Sequence, residues 1–392
     1  MTKAVITHAL RTPIGRFMGC FNDLTSVELG VAVVKPLLEL AKIGPDDVDQ
    51  LIFGNGRQAG AGPNPARQIA IKSGISHRVV SYTMNMACAS GLKSIALAAQ
   101  AIELGESTIV VAGGTESMSR LPYILPQARD GYRLGHAPLV DAMYKDGFQC
   151  PLAEQLMGAT AENLVAQYGI TREEQDRFAV QSQNRSEAAR AKNLFDDEIQ
   201  PVTFTSRRKE IVVNKDEHVR DGVKMESLAK LKPVFKSDGS VHAGNSSGIT
   251  DGAAALLLMS EEEANKRGLE ILAVVEGAAA AGVDPKIMGI GPVPATAALN
   301  EKLGLTLADY DLIELNEAFA AQALACLSEW GIDQEKVNVN GGAISLGHPI
   351  GATGARIVVT LIHEMKRRSV KRGLATLCVS GGLGMSMSFL RS

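Results

Sequence analysis

The feature that most limits what this chain can fold into is an internal echo. DVDQLIF at 47–53 resembles DYDLIEL at 309–315, an offset of 262 (309 minus 47). STIVVAGG at 107–114 resembles LATLCVSGG at 374–382, where Gly114 and Gly382 stand 268 apart (382 minus 114). Two similar offsets with the same order of elements point to a duplicated α/β domain, at a period far too long for a solenoid. Chance likeness between short apolar strings is the competing explanation. Within the first copy, strand-like runs at 48–53, 79–84 and 107–112 alternate with helical patterns. Those patterns follow the capping box Thr25–Glu28, the Asn64-Pro65 start and Cys88. That alternation predicts a mostly parallel sheet covered by helices.

Residues 119–249 break the pattern. Prolines at 122, 126, 138 and 151 precede a polar helix opened by the capping box Thr171–Glu174, and the stretch ends in HAGNSSG. It reads as an insertion lying over the first domain. The expected organisation is a first half over 1–118, completed by about 250–270, a loop domain over 119–249, and a second half over 271–392. A chain of 392 residues exceeds the usual size of one core, which agrees with several domains.

Several function classes are excluded by composition. A formal net charge of −3 with a single Trp gives neither a basic face nor interleaved aromatics, so no nucleic-acid partner is expected. Five cysteines without a CxxC pair argue for free thiols in a reducing compartment, and against a disulfide framework or a metal site. No apolar run approaches the roughly 18 residues that suggest a membrane span. The start MTKAVITHALRTPIG lacks a secretory h-region, so the cytoplasm is the expected location.

Four residues could carry chemistry. His348 lies in the glycine-dense turn GGAISLGHPIGATG, where the backbone can approach a ligand closely and an imidazole can exchange protons near neutral pH. Cys88 sits between a strand and a helix start, where helix N–H groups would lower its pKa and favour thiolate; the alternative is a buried inert thiol. Cys378 lies in a strand run opening into a glycine turn, and is either core or part of the same site. If the duplication holds, that turn faces the AGG turn of the first copy, at the carboxyl ends of the strands where ligands bind. Asn316 follows the strand DLIEL and suits a helix cap equally with holding a water or an oxyanion. The histidines at 8, 77, 136, 218, 242 and 363 are expected to be structural or superficial.

With these residues together, the chain resembles the thiolase family, the acetyl-CoA C-acetyltransferases, along essentially its whole length. The likeness rests on RTPIG, NPARQIA, MNMACASG, GGTESMS, AGNSSGITDGAAA, NEAFAAQ, NGGAISLGHPIGATGAR and CVSGG. It implies a five-layered αβαβα fold of two duplicated halves with an inserted loop domain. It also implies acyl transfer between CoA thioesters: thiolysis of 3-ketoacyl-CoA, and the reverse Claisen condensation of two acetyl-CoA. Cys88 would be the nucleophile, His348 its base, Cys378 the proton shuttle at the α-carbon, and Asn316 the holder of a water. Backbone N–H groups of Cys88 and of the turn at Ser380 and Gly381 would form a second oxyanion hole.

For the pantetheine arm and nucleotide, the likeness points to Phe148, Met157, Arg220, Ser227 and Phe235. It adds Ala243 and Ser247 from the same segment, with Met288, Ala318 and Phe319 from the second half. No cofactor would stay bound, coenzyme A and acetyl-CoA being substrates, and a homo-oligomer is implied, a tetramer through 121–147 or a dimer. Two positions depart from the family pattern. Leu156 replaces a histidine of the short-chain biosynthetic members, which points to a wider acyl range. Ser380 replaces a common glycine but keeps the backbone N–H. A ketoacyl synthase would need a second histidine motif in place of Cys378, and an acyl-CoA or lipid binder without catalysis would not need all four residues. A cysteine hydrolase would want a carboxylate or amide orienting its histidine.

Overall fold

The structure, a computed structural model, describes residues 2–391. In the first half the strands are β1 (Ala4–Arg11), β2 (Gln50–Gly54), β3 (Val80–Met84), β4 (Ile109–Ser117) and β5 (Thr250–Ser260). The helices between them are α1 (Ser26–Ala41), α2 (Pro65–Lys72) and α3 (Ser90–Glu103). Between β4 and β5 lie three short two-stranded ribbons and the helices α4 (Met157–Tyr168) and α5 (Arg172–Ala191). The second half has β6 (Ala273–Gly282), α6 (Pro292–Leu303), β7 (Leu312–Leu315) and α7 (Ala320–Trp330). It ends with α8 (Ile350–Arg368), β8 (Arg372–Val379) and β9 (Leu383–Leu390).

The two halves share one strand order. Neighbours in the first run β3-β2-β4-β5-β1. In the second they run β7-β8-β9-β6, with Val337 adding a parallel bridge to Ile313 on the free side of β7. Counted within each half, both read third, second, fourth, fifth, first, which is the duplication seen as topology. The halves meet where β1 pairs β6 at Val5–Val274 and Ile6–Ala273.

The sheets are mixed, which corrects the mostly parallel expectation. β2 pairs β3 and β4 in parallel, while β5 runs antiparallel to both β4 and β1. In the second half the tight turn between β8 and β9 forces an antiparallel return, and in the first half the long connection from β4 brings β5 back antiparallel beside it. The double glycine also behaves differently from its sequence reading. Gly113 and Gly114 lie inside β4, not in a turn. A Cβ on Gly113 would come 2.1 Å from the Ala254 carbonyl, and one on Gly114 2.1 Å from that of Gly351, so close backbone packing demands glycine there. Ladder register sets Gly54 beside Gly114 and Leu315 beside Thr376, so Gly114 and Gly382 are not equivalent.

Alternation along the strands builds the layers. Leu51, Phe53, Val111 and Leu257 pack outward against α1 and α2 in one apolar cluster. Ile52, Val110, Ala112 and Leu256 point inward, where α3 and α8 are shared with Leu377, Met387 and Phe389 of the second sheet. Ile313, Leu315 and Leu374 face α7 on the far side. The order is helix, sheet, helix, sheet, helix. Both central helices are therefore largely buried: α8 along most of its length, and α3 except for the face of Lys93, Leu97 and Gln100.

Candidate active site

Each half delivers its reactive group just ahead of its own central helix. After β3 the chain makes one tight turn, Ala87–Ala89, before α3, and Ala87 takes the left-handed φ of 46°. A non-glycine residue held there is strained, and such strain concentrates at functional sites. Cys88 follows it. On the other half, Gly347 at φ 105° turns the chain into His348, two residues before α8 begins.

The two helix starts touch through glycine. A Cβ on Gly91 would lie 2.7 Å from the Ala355 amide nitrogen, and one on Gly354 2.3 Å from that of Leu92. Neither helix could carry a side chain there without moving apart. Glu116 at the end of β4 fixes the same junction: its buried carboxylate accepts from Gly351 N (2.8 Å), Gly56 N (3.0 Å), Arg57 N (3.2 Å) and Asn55 Nδ2 (2.7 Å). Sequence reading missed Glu116 as a clamp, although an acid closing a fully buried strand was a usable sign.

His348, Cys88, Cys378 and Ser380 line one cavity of about 480 Å³, within the usual range for a small-molecule site. Ser380 comes from the turn after β8, so that turn reaches across the boundary between halves to the cavity that Cys88 lines. Gly381 and Gly382 at φ 90° and 86° make that turn sharp enough. His348 Nδ1 lies 2.6 Å from Thr353 Oγ1, and the His348 backbone N–H donates to the Gly248 carbonyl at 3.1 Å.

Asn316 lies just outside the cavity lining, fully buried, and is not a helix cap. Phe319 occupies the cap position of α7, and Asn316 N instead donates to the Thr376 carbonyl at 3.0 Å. Neither its Oδ1 nor its Nδ2 has a hydrogen-bond partner among the described residues. A buried amide with both ends unpaired is rare unless it serves function.

Most of the expected substrate contacts converge on the same cavity: Phe148, Met157, Arg220, Phe235, Ala243 and Ser247, then Met288, Ala318 and Phe319. Phe235 and Phe319 meet edge to face with centroids 6.2 Å apart. Leu156 is in the lining too. Gly381 is not, and neither is Ser227, an exposed residue whose hydroxyl donates to the Lys224 carbonyl of its own turn at 2.6 Å. Arg57 and His218 line the cavity unforeseen. His218 corrects the structural or superficial expectation; it stands two residues before Arg220, the spacing that puts extended-chain side chains on one face. His242, by contrast, is fully buried against Asp176 at 2.7 Å.

The electrostatics overturn one expectation. Cys88 does not gain a lowered pKa from its helix. Burial pushes the thiol above its ordinary value, outweighing the Arg57 charge and the N–H of Ser380. Cys378 is driven up further by burial and by the neighbouring Cys88 sulfur. Burial, with the charges of Arg356 and Arg57, holds the His348 imidazolium down to about 3. A neutral thiol and a neutral imidazole thus share the resting cavity. Such a pair makes thiolate only when a substrate stabilises the transferred proton and the developing charge.

Comparison with known proteins agrees with this architecture. The family model for the thiolase N-terminal domain matches residues 4–262, and that for the thiolase C-terminal domain matches 269–391. An acetyl-CoA acetyltransferase of Pseudomonas aeruginosa is 52% identical over 392 residues, covering 100% of both chains. The crystal structure of the Bacillus anthracis acetyl-CoA acetyltransferase superposes with a TM-score of 0.98 at 49% identity, covering 100% of this chain and 99% of that one. Human mitochondrial 3-ketoacyl-CoA thiolase superposes with a TM-score of 0.96 at 39% identity, with the same coverage.

Proposed function

We infer that this chain, which belongs to the thiolase family, is an acyltransferase that exchanges acyl groups between CoA thioesters through an acyl-cysteine. The relatives at about half identity carry the name acetyl-CoA acetyltransferase, so the reaction is cleavage of acetoacetyl-CoA by CoA and its reversal. The observation that carries this reading is the meeting of Cys88, His348 and Cys378, from opposite halves, on one cavity.

The roles follow from position. In cleavage, His348 takes the Cys88 proton as sulfur attacks the 3-keto carbon. Scission leaves an acetyl group on Cys88 and releases the enolate of acetyl-CoA, which Cys378 protonates at its α-carbon. The CoA thiol then takes the acetyl group. Condensation runs the same steps backwards, with Cys378 as the base.

Asn316, through a water it holds, supports one developing oxyanion with His348, and backbone N–H groups of Cys88 and of the turn at Ser380 and Gly381 support the other. A donor so placed contributes about 2.7–4 kcal/mol. Phe235, Met288, Ala318 and Phe319 give the pantetheine arm an apolar wall, and Arg220 meets the phosphates. Coenzyme A is substrate and no resident cofactor takes part. The cavity residues contributed by 119–249 support a CoA-binding role for that segment.

We propose further that the chain assembles as a tetramer through 121–147. Tyr123, Leu125, Leu134 and Leu139 are all strongly exposed there, Leu134 completely. The five free cysteines suit a reducing cytoplasm. The test of function is a comparison of thiolysis rates on acetoacetyl-CoA and on longer 3-ketoacyl-CoAs. Acetoacetyl-CoA should be the better substrate, and failure to cleave any of them would defeat the reading. Light scattering of the purified protein tests the assembly, a monomer being the contrary result.

A further inference from the structure

His348 lines the cavity, and one of its ring nitrogens is committed to the protein. Its Nδ1 meets Thr353 Oγ1 at 2.6 Å, while Nε2 has no hydrogen-bond partner among the described residues. Thr353 is fully buried in the first turn of α8, and its Oγ1 lies 3.0 Å from the Pro349 carbonyl. That carbonyl also receives the Ala352 and Thr353 amides at 2.8 and 2.9 Å, the shared bonding common at helix ends. A hydroxyl offers one proton and two lone pairs. A helix threonine in this position gives its proton to the carbonyl four residues back, which leaves a lone pair facing Nδ1.

We propose that Thr353 is a positioning residue that fixes His348 as the tautomer protonated at Nδ1, so that the Nε2 lone pair faces the Cys88 thiol. This rests on the reading of His348 as the base for Cys88. The usual partner of such a histidine is a carboxylate, which sets the tautomer and also stabilises the imidazolium. Thr353 does only the first. The charged and titratable groups around the ring are Arg356 two turns along α8, Arg57 from the segment after β2, and the thiols of Cys88 and Cys378. His218 lines the same cavity, and Glu116 bonds the helix start at Gly351. Among the described residues no carboxylate is hydrogen-bonded to the imidazole. The device orients a base without making it a resting cation.

The direct test is the nitrogen-15 spectrum of histidine-labelled wild-type protein, with His348 assigned from its loss in His348→Asn. A protonated Nδ1 and an unprotonated Nε2 are expected, and the opposite tautomer would overturn the proposal even if neither Thr353 variant folds. Thr353→Val keeps the shape and removes the acceptor. It should lower kcat at least about tenfold with KM for acetoacetyl-CoA little changed, and slow iodoacetamide alkylation of Cys88 near neutral pH. Thr353→Ser should restore most of both. Unchanged kcat in Thr353→Val, or a serine variant as slow as the valine one, contradicts the role. The underlying reading fails separately, if His348→Asn alkylates Cys88 at the wild-type rate.

Discussion

The two halves of this molecule are built alike and act differently. Both order their strands the same way, and both aim a central helix at the shared boundary, one preceded by Cys88 and the other by His348. They part at the connection between their fourth and fifth strands. In the second half β8 and β9 are joined by the tight turn 380–382, which brings Cys378 and the Ser380 amide to the cavity. In the first half the same connection, β4 to β5, opens into residues 118–249, with α4, α5 and a large share of the cavity wall. One copy kept a turn that serves chemistry; the other expanded it to hold substrate. Duplication supplied a boundary with two helix starts, and divergence at matching positions made it asymmetric.

That asymmetry can be broken most severely at the sulfurs. Cys88→Ala should lower thiolysis of acetoacetyl-CoA by about 10⁴-fold or more, since no acyl-enzyme can form. Cys378→Ala should block exchange of the acetyl-CoA α-protons with deuterated water while leaving Cys88 able to accept an acetyl group. If the two variants behave alike in both assays, the halves do not divide the work as described. Asn316→Ala should follow with a loss of about 10²–10³-fold in kcat, as expected for one oxyanion donor, with thermal stability kept because the amide has no protein partner to lose.

The contact between the halves can be sharpened at glycine. Gly354→Ala would drive a methyl group toward the Leu92 amide, where 2.3 Å is available. It should destabilise by about 1–3 kcal/mol in urea unfolding and reduce kcat by separating Cys88 from His348. Unchanged stability would mean that the helix starts are not held by that contact.

A last effect concerns pH and acts on stability, not on activity at neutral pH. His348 stays neutral in the fold down to about 3, whereas an unfolded histidine takes a proton near 6.5. Between those values the unfolded chain binds more protons, so this group removes stability as pH falls through the window, by up to about 1.4 kcal/mol per pH unit. His348→Asn should flatten the fall of Tm between pH 6.5 and 4 relative to wild type. An equally steep fall would place the titration elsewhere.

What was legible in the sequence was whatever local pattern decides. Strand alternation, the capping boxes at Thr25 and Thr171 and the motifs around Cys88, His348 and Cys378 all sit within a few residues of what they specify. The fold and family follow from them. What was not legible depends on groups far apart in the chain. Burial by both sheets reverses the expected effect of the helix on the Cys88 thiol, and no local reading counts the neighbours that desolvate it. Gly113 and Gly114 look like a turn until β5 and α8 are packed against them. Asn316 has a capping residue's composition, but α7 begins later, with Phe319 at its cap, and Asn316 N pairs with the Thr376 carbonyl. His218 and Arg57 reach the cavity only once the 119–249 segment is folded over it.

The most direct check is peptide mapping after a brief reaction with acetyl-CoA and acid quenching. The account predicts a single acetyl group on the peptide containing Cys88 in the wild type and in Cys378→Ala, and none in Cys88→Ala. An acetyl group on Cys378 instead, or acetylation that survives in Cys88→Ala, would contradict it.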